Sequence, residues 1–159
     1  MEQVYYLSGC ELAGRSGHEA GRALLEALYA AHGEGPLPQI ARGHMGKPYF
    51  VDSGWHFSIT HTRRHAFCAL ARTPIGIDAE ERDRRVDLRI APKILSPGEF
   101  AQFSAAADPR LALLKFWVLK EAEAKCSGKG ITYHPRYTNF SLDDPRIQER
   151  DGCLLAVVL

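Results

Sequence analysis

The segment Pro109–Ser127 does most to limit the folds open to this chain. It reads as one long helix, stopped by Gly128 and Gly130 where the backbone can leave helical geometry. Around it the texture is that of short strands. Val4–Leu7 is rich in β-branched and aromatic residues, and His56–Thr60, Ala66–Ala71 and Ile75–Ala79 alternate with turn signals at Arg63-Arg64 and Thr73-Pro74. Gly17–His32 repeats apolar residues at Ala20, Ala23, Leu24, Ala27, Leu28 and Ala31, one face of a helix closed by Gly33. Residues 33–48 read as a linker with turns. Val86–Leu95 reads as helical. Ser96-Pro97-Gly98-Glu99 fits a helix start, with Ser96 as N-cap and Glu99 three residues on. Thr138–Leu142 and Cys153–Leu159 read as closing strands. These elements give an α+β class, one small antiparallel sheet packed on a long helix.

Composition excludes some functions. The 159 residues suit a single domain able to bury a core. Twenty Lys and Arg against nineteen Asp and Glu leave a net charge of +1, so there is no global footprint for nucleic acid. An anionic ligand must be held by a local basic cluster. Cys10, Cys68, Cys126 and Cys153 form no CxxC pair and sit in or beside apolar stretches. They read as buried free thiols, with no zinc site expected. Met1–Leu12 has two acids and no long apolar run, which predicts neither a signal peptide nor a membrane span, and a cytoplasmic location.

Four stretches carry chemistry. In Ile75-Gly76-Ile77-Asp78-Ala79-Glu80 the strand alternation puts Ile75, Ile77 and Ala79 on a core side and Gly76, Asp78 and Glu80 on the other. Two carboxylates side by side repel unless a cation or proton lies between them, and oxygen-only ligands favour Mg²⁺. A solvated strand end fits the same residues. On the long helix Trp117, Glu121 and Lys125 stack at four-residue spacing. Glu121 is there either a metal-held acid among apolar neighbours, with Lys125 facing a phosphate, or half of an ordinary surface pair. In Phe57-Ser58-Ile59-Thr60-His61-Thr62-Arg63, His61 stands between two hydroxyls ahead of Arg63 and Arg64. That suits phosphate oxygens, or a turn with no ligand. Lys47, in Gly46-Lys47-Pro48, is a lysine in a constrained turn.

The order GKP, F-x-I-T-H-T, IGIDAE, then FWVLKEAEAK followed by glycines, resembles the surfactin-type 4′-phosphopantetheinyl transferases over about Gly46 to Ile131. Ser58 stands where asparagine is common there, and Thr62-Arg63 where Ser-Gly is. The resemblance implies the 4′-phosphopantetheinyl transferase fold and a Mg²⁺-dependent reaction. A carrier-protein serine would attack the β-phosphate of coenzyme A, take up the phosphopantetheine arm and release 3′,5′-ADP. It implies Asp78, Glu80 and Glu121 as metal ligands, Glu121 or Glu80 as general base, and Lys125 acting on the leaving group. Lys47, Thr60, His61, Lys125 and, more distantly, Arg15 would contact coenzyme A. Lys120 would be a phosphate contact or a structural ion-pair partner, and Trp117 core. It divides the chain into a reduced first half, 1–45, and a catalytic half, 46–159, and favours a monomer over the trimers of the smaller holo-acyl-carrier-protein-synthase branch. The partner would be an apo acyl or peptidyl carrier protein with an acidic helix, met by Arg82, Arg84, Arg85 and Arg89. A Mg²⁺-dependent pyrophosphate hydrolase and a non-catalytic carrier-protein or coenzyme A binder are the rival readings.

Overall fold

The computed structural model describes residues 4–43, 46–128 and 138–159. Gly130 and Ile131, at the far end of the last motif, lie outside the described residues. In chain order the elements are β1 (Tyr5–Glu11), α1 (Gly17–His32), β2 (Ile40–Arg42), β3 (Pro48–Phe50), β4 (His56–His61), β5 (His65–Ala71) and β6 (Gly76–Glu81). A 3₁₀ turn at Leu88–Ile90 precedes α2 (Ala91–Ile94), α3 (Pro97–Ala105), α4 (Pro109–Ser127), β7 (Ile147–Arg150) and β8 (Cys153–Val158). Among the described residues, no helix is long and apolar enough to cross a membrane.

Two three-stranded antiparallel sheets organise the chain, β1-β5-β4 and β6-β8-β7, with β2-β3 a separate hairpin. Strand pairing therefore joins residues on either side of position 45, and sheet membership changes between Ala71 and Gly76. Each sheet carries a helix. Leu25, Leu28 and Tyr29 of α1 pack on Phe57, Cys68 and Leu70 of the first sheet. Val118, Leu119 and Ala122 of α4 pack on Ala156 and Val158 of the second. Phe67, Ala69 and Ala71 of β5 meet Ile77 and Ala79 of β6 and Leu155 and Val157 of β8 in a third cluster, which also takes in Ile75. The core side read from the Ile75–Glu80 alternation is the observed one.

Between the sheets, β4 lies beside β6 with side chains closing the seam. Ser58 Oγ accepts from the Ile77 amide at 3.0 Å, Thr60 Oγ1 donates to Asp78 Oδ1 at 3.2 Å, and Thr62 Oγ1 donates to Glu81 Oε1 at 2.6 Å. The three hydroxyls are two residues apart, hence on one side of the strand, and all are buried.

Both long helices have the bounds read from sequence. Each of α1 and α3 starts with a reciprocal capping box, Ser16 with Glu19 and Ser96 with Glu99. Asp108 caps α4, and Gly128 ends it in the left-handed conformation at φ 73°. Two expectations are corrected. Val86–Leu95 is not one helix: Pro92 has no amide to donate back into the preceding turn, so a 3₁₀ turn leads into the single turn of α2. Residues 138–142 form no strand, because their backbone bonds go to α3 side chains. Phe140 N donates to Glu99 Oε2 at 2.9 Å, Gln102 Nε2 to Phe140 O, and Leu142 N to Gln102 Oε1. The partner of β8 is instead the polar strand β7, joined to it through Asp151-Gly152. The four cysteines are free, Cys68 and Cys153 buried, Cys10 and Cys126 half-buried.

Lys120 and Glu99 form a fully buried ion pair, Nζ to Oε1 at 2.7 Å, which joins α4 to α3. Burial opposes the Glu99 charge, but Lys120 and the amides of Phe140 and Ser96 overcome that and hold the carboxyl below its ordinary range. Lys120→Met leaves this carboxylate without its cation in a dry setting. The expected loss of stability is about 3–5 kcal/mol, read from the urea midpoint; a loss under about 1 kcal/mol contradicts the assignment.

Candidate functional site

The site forms where the β4–β6 seam meets α4. At Gly76 a Cβ would stand 2.0 Å from the carbonyl oxygen of Ala122 and 2.4 Å from the Cys126 amide, both backbone atoms. Only glycine lets the last turns of α4 lie this close to β6. Two residues along the strand, Asp78 faces the same helix, and so does Glu80 after it. From α4 come Glu121 and, one turn on, Lys125.

Asp78 is the centre of this group. It is 8 % exposed. Its Oδ1 accepts from Thr60 Oγ1 and, at 3.4 Å, from Lys125 Nζ; its Oδ2 is buried with no hydrogen-bond partner among the described residues. Burial, above all, pushes its pKa up to about 7; Lys125 pulls the other way, while Glu121 and Glu80 add to the rise. Glu121 is half-buried and is also raised, by burial first and by Glu80, against Lys125. Glu80 is ion-paired with Arg84. Three carboxylates thus lie near enough to act on one another through their charges, with Lys125 beside Asp78 and also reaching the Ile59 carbonyl at 3.4 Å. Asp78 is buried and Glu121 half-buried, so neither is a freely solvated surface acid.

The remaining expected residues divide into two sets. Thr60 is present, but its hydroxyl is spent on Asp78. Lys47 Nζ donates to the carbonyls of Ile75 at 3.0 Å and Lys125 at 2.5 Å, so it ties the β2–β3 hairpin to the start of β6 and the end of α4. Burial is the main cause of its lowered pKa, with Lys125 adding to the fall and Cys126 opposing it. His61, exposed at the end of β4, lies over Gly17 at the start of α1, where a Cβ would meet its ring at 2.2 Å. Arg15, just before that helix, folds back onto the carbonyls of Leu12 and Glu11. Lys120 is the departure: of the two roles considered for it, the buried ion pair is the one found. Trp117 packs against the core beside Leu113 and Phe116, as expected. Arg82, Arg84 and Arg89 are engaged by Glu149, Glu80 and Asp87.

Two hollows flank the acids. One, of about 250 Å³, is lined by Gly46, Lys47, Pro48, Ser58, Ile59 and Lys125. The other, of about 1050 Å³, is lined by His61, Arg63, Arg64, Arg84 and Arg85 together with the acids Glu80, Glu81 and Asp83. Basic groups therefore stand on both sides of the carboxylates, an arrangement suited to a long, multiply charged phosphate ester bridged through a cation. The role of Ser58 and of Glu81 in fixing the seam was missed from sequence, since each acts through a partner about nineteen positions away.

Comparisons with known proteins agree with one another. A profile of the 4′-phosphopantetheinyl transferase superfamily matches residues 74–154. The 4′-phosphopantetheinyl transferase gsp of Aneurinibacillus migulanus is 34% identical over 109 residues, covering 67% of this chain and 44% of that protein. The 4′-phosphopantetheinyl transferase psf-1 of Bacillus pumilus is 32% identical over 118 residues, covering 70% of this chain and 48% of that one. The 4′-phosphopantetheinyl transferase HetI of Nostoc sp. (strain PCC 7120 / SAG 25.82 / UTEX 2576) is 30% identical over 122 residues, covering 70% and 52%. The chain spans about half the length of these curated relatives.

The raised Asp78 carboxyl has a consequence for stability. Its folded pKa lies above the ordinary 3.8, so between about pH 4 and 7 the folded state holds a proton that the unfolded state has lost. Chelator-treated protein therefore loses stability as pH rises through that window, by roughly 4 kcal/mol at most. Asp78→Asn removes the loss. The variant should melt higher than the wild type at pH 7.5, with the advantage gone at pH 4; an Asn variant that melts lower at pH 7.5 contradicts the account.

Proposed function

Since the chain belongs to the 4′-phosphopantetheinyl transferase superfamily, we propose that it transfers the phosphopantetheine arm of coenzyme A to a serine of an apo carrier protein. The observation that carries this reading is the buried, unpartnered Asp78 Oδ2, with the charges of Glu80 and Glu121 acting on the same carboxyl. An orphaned carboxylate oxygen beside two further carboxylates fits a hard divalent cation. Asp78, Glu80 and Glu121 would hold Mg²⁺, which when bound would neutralise pyrophosphate charge and make the nucleotide a better leaving group.

In this proposal the diphosphate of coenzyme A lies across the acids, between the hollow at Lys47 and Lys125 and the one at His61. Lys125, a hydrogen-bond distance from Asp78, donates to an oxygen on the departing side. The carrier serine hydroxyl attacks the β-phosphorus; the bond from that phosphorus to the bridging oxygen breaks, and 3′,5′-ADP leaves with the bond's electron pair. The serine proton goes to Glu121. Glu121 is favoured over Glu80 as base because burial raises its proton affinity, whereas Glu80 is occupied by Arg84. His61 and Arg15, on either side of the α1 start, would face the more distant phosphate. Every catalytic side chain lies in the half from residue 46 to 159; residues up to 45 back the first sheet with β1 and α1. A carrier with an acidic helix suits Arg63 and Arg85 at the rim of the larger hollow, more than the arginines already paired, Arg64 among them with Glu81 and Asp83. The metal requirement, the carrier identity, a monomeric state and a cytoplasmic location all belong to this proposal.

Intact-protein mass spectrometry of apo carrier proteins incubated with coenzyme A and Mg²⁺ tests it. The carrier should gain the mass of one phosphopantetheine arm with wild type and metal, and Glu121→Ala should slow the gain by about 10²–10⁴-fold. Several apo carriers left unmodified while coenzyme A binds would overturn it and leave a binding module; 3′,5′-ADP released without a carrier would point to a pyrophosphate hydrolase.

A further inference from the structure

Glu80 and Glu81 are neighbours on β6, so their side chains leave opposite faces of the strand. Glu80 belongs to the acidic recess; Glu81 belongs to a different cluster, used by none of the chemistry above. His65 Nδ1 stands 2.8 Å from Glu81 Oε1 and 3.5 Å from Cys153 Sγ, and one ligand atom of each of the three residues lies within 4.8 Å of the others. We propose that His65, Glu81 and Cys153 form a binding site for a thiophilic divalent transition-metal ion of the Zn²⁺ class, separate from the acidic recess.

The architecture builds this cluster from three strands and both sheets. Glu81 and Cys153 are direct cross-strand partners in the β6–β8 register. His65 opens β5 and is set by a tight turn in which the Thr62 amide donates to the His65 carbonyl at 2.8 Å and the His65 amide to Thr62 Oγ1 at 2.9 Å. One sulfur, one imidazole nitrogen and one carboxylate oxygen form a mixed donor set that suits Zn²⁺ or Co²⁺ and not Mg²⁺. Tetrahedral Zn²⁺ bonds imply donor separations of about 3.3–3.8 Å, so shifts of about an ångström would seat the ion. The Glu81 carboxylate is already oriented from behind, by Thr62 Oγ1 at 2.6 Å and by Arg64 at 3.2 Å on its other oxygen. Such outer contacts accompany true metal ligands and fix their aim. Access comes from a hollow of about 630 Å³ lined by His65 and Glu81 with Leu12, Arg63 and Gly152, which leaves room for a water as fourth ligand. With metal, one ion ties β5 of the first sheet to β6 and β8 of the second. Sequence spacing conceals the site, because the cysteine lies 88 positions from the histidine.

The test uses the full chain, reduced and stripped of metal, titrated with Co²⁺. One equivalent should bring up a thiolate-to-cobalt charge-transfer band in the near ultraviolet, and Zn²⁺ should abolish it by displacement. Cys153→Ser should remove the band, and His65→Ala should weaken Co²⁺ binding at least about tenfold. Glu121→Ala, Cys10→Ser and Cys126→Ser should retain it, since carboxylates alone give no such band. His65 keeps some exposure where Cys153 has none, so its variant decides the matter should Cys153→Ser fail to fold. A saturating titration with no thiolate band overturns the proposal, as does a band that survives loss of Cys153 or is unweakened by loss of His65.

Discussion

Everything at the acidic recess depends on the seam of hydroxyls that fastens β4 to β6. Two sheets that met only through apolar packing could slide past each other. Ser58, Thr60 and Thr62 prevent this by bonding in succession to the Ile77 amide, the Asp78 carboxylate and the Glu81 carboxylate. Buried hydrogen bonds to charged groups are worth about 1.5–3 kcal/mol each, and an unmade one costs comparably, so the register is strongly specified. Asp78 is held from the β4 side before any ligand arrives.

The second constraint comes from the helix. Gly76 allows α4 to approach β6 until backbone nearly touches backbone, which brings Glu121 and Lys125 to the same recess as Asp78. Lys47 then locks the contact by donating to carbonyls on both elements. The outcome is an acidic recess that is poor for folding and good for holding a cation. Burial, joined by the charges of neighbouring acids, raises the proton affinity of Asp78 and Glu121, and the nearby lysine offsets only part of it. A site that sacrifices some stability in this way is the usual compromise of function with folding. The Glu99–Lys120 pair, whose lysine lies about a turn and a half before Lys125 on α4, serves the opposite purpose: its charges are matched and sealed.

What could be read from sequence was what is decided locally. The bounds of α1 and α4 and the start of α3 follow from caps, proline and glycine within a few residues of each end. The two faces of Ile75–Glu80 follow from strand geometry alone. What could not be read were choices between distant partners. Lys120 sits within a motif, and only the fold reveals that Glu99 claims it. Residues 138–142 have strand-like composition, yet Glu99 and Gln102 take their backbone bonds. The bonds of Thr60 to Asp78 and of Lys47 to two carbonyls were equally out of reach, since their partners lie far along the chain. His65, Glu81 and Cys153 converge only once both sheets are built.

The central claim is that the strand acid Asp78 and the helix acid Glu121 act as one cation-holding unit. A double-substitution cycle on the rise in melting temperature caused by Mg²⁺ with coenzyme A tests it most directly. Asp78→Asn and Glu121→Gln should each abolish most of that rise, and the double variant should lose hardly more than either alone. Independent, additive losses, or a full rise retained by either single variant, would contradict the account.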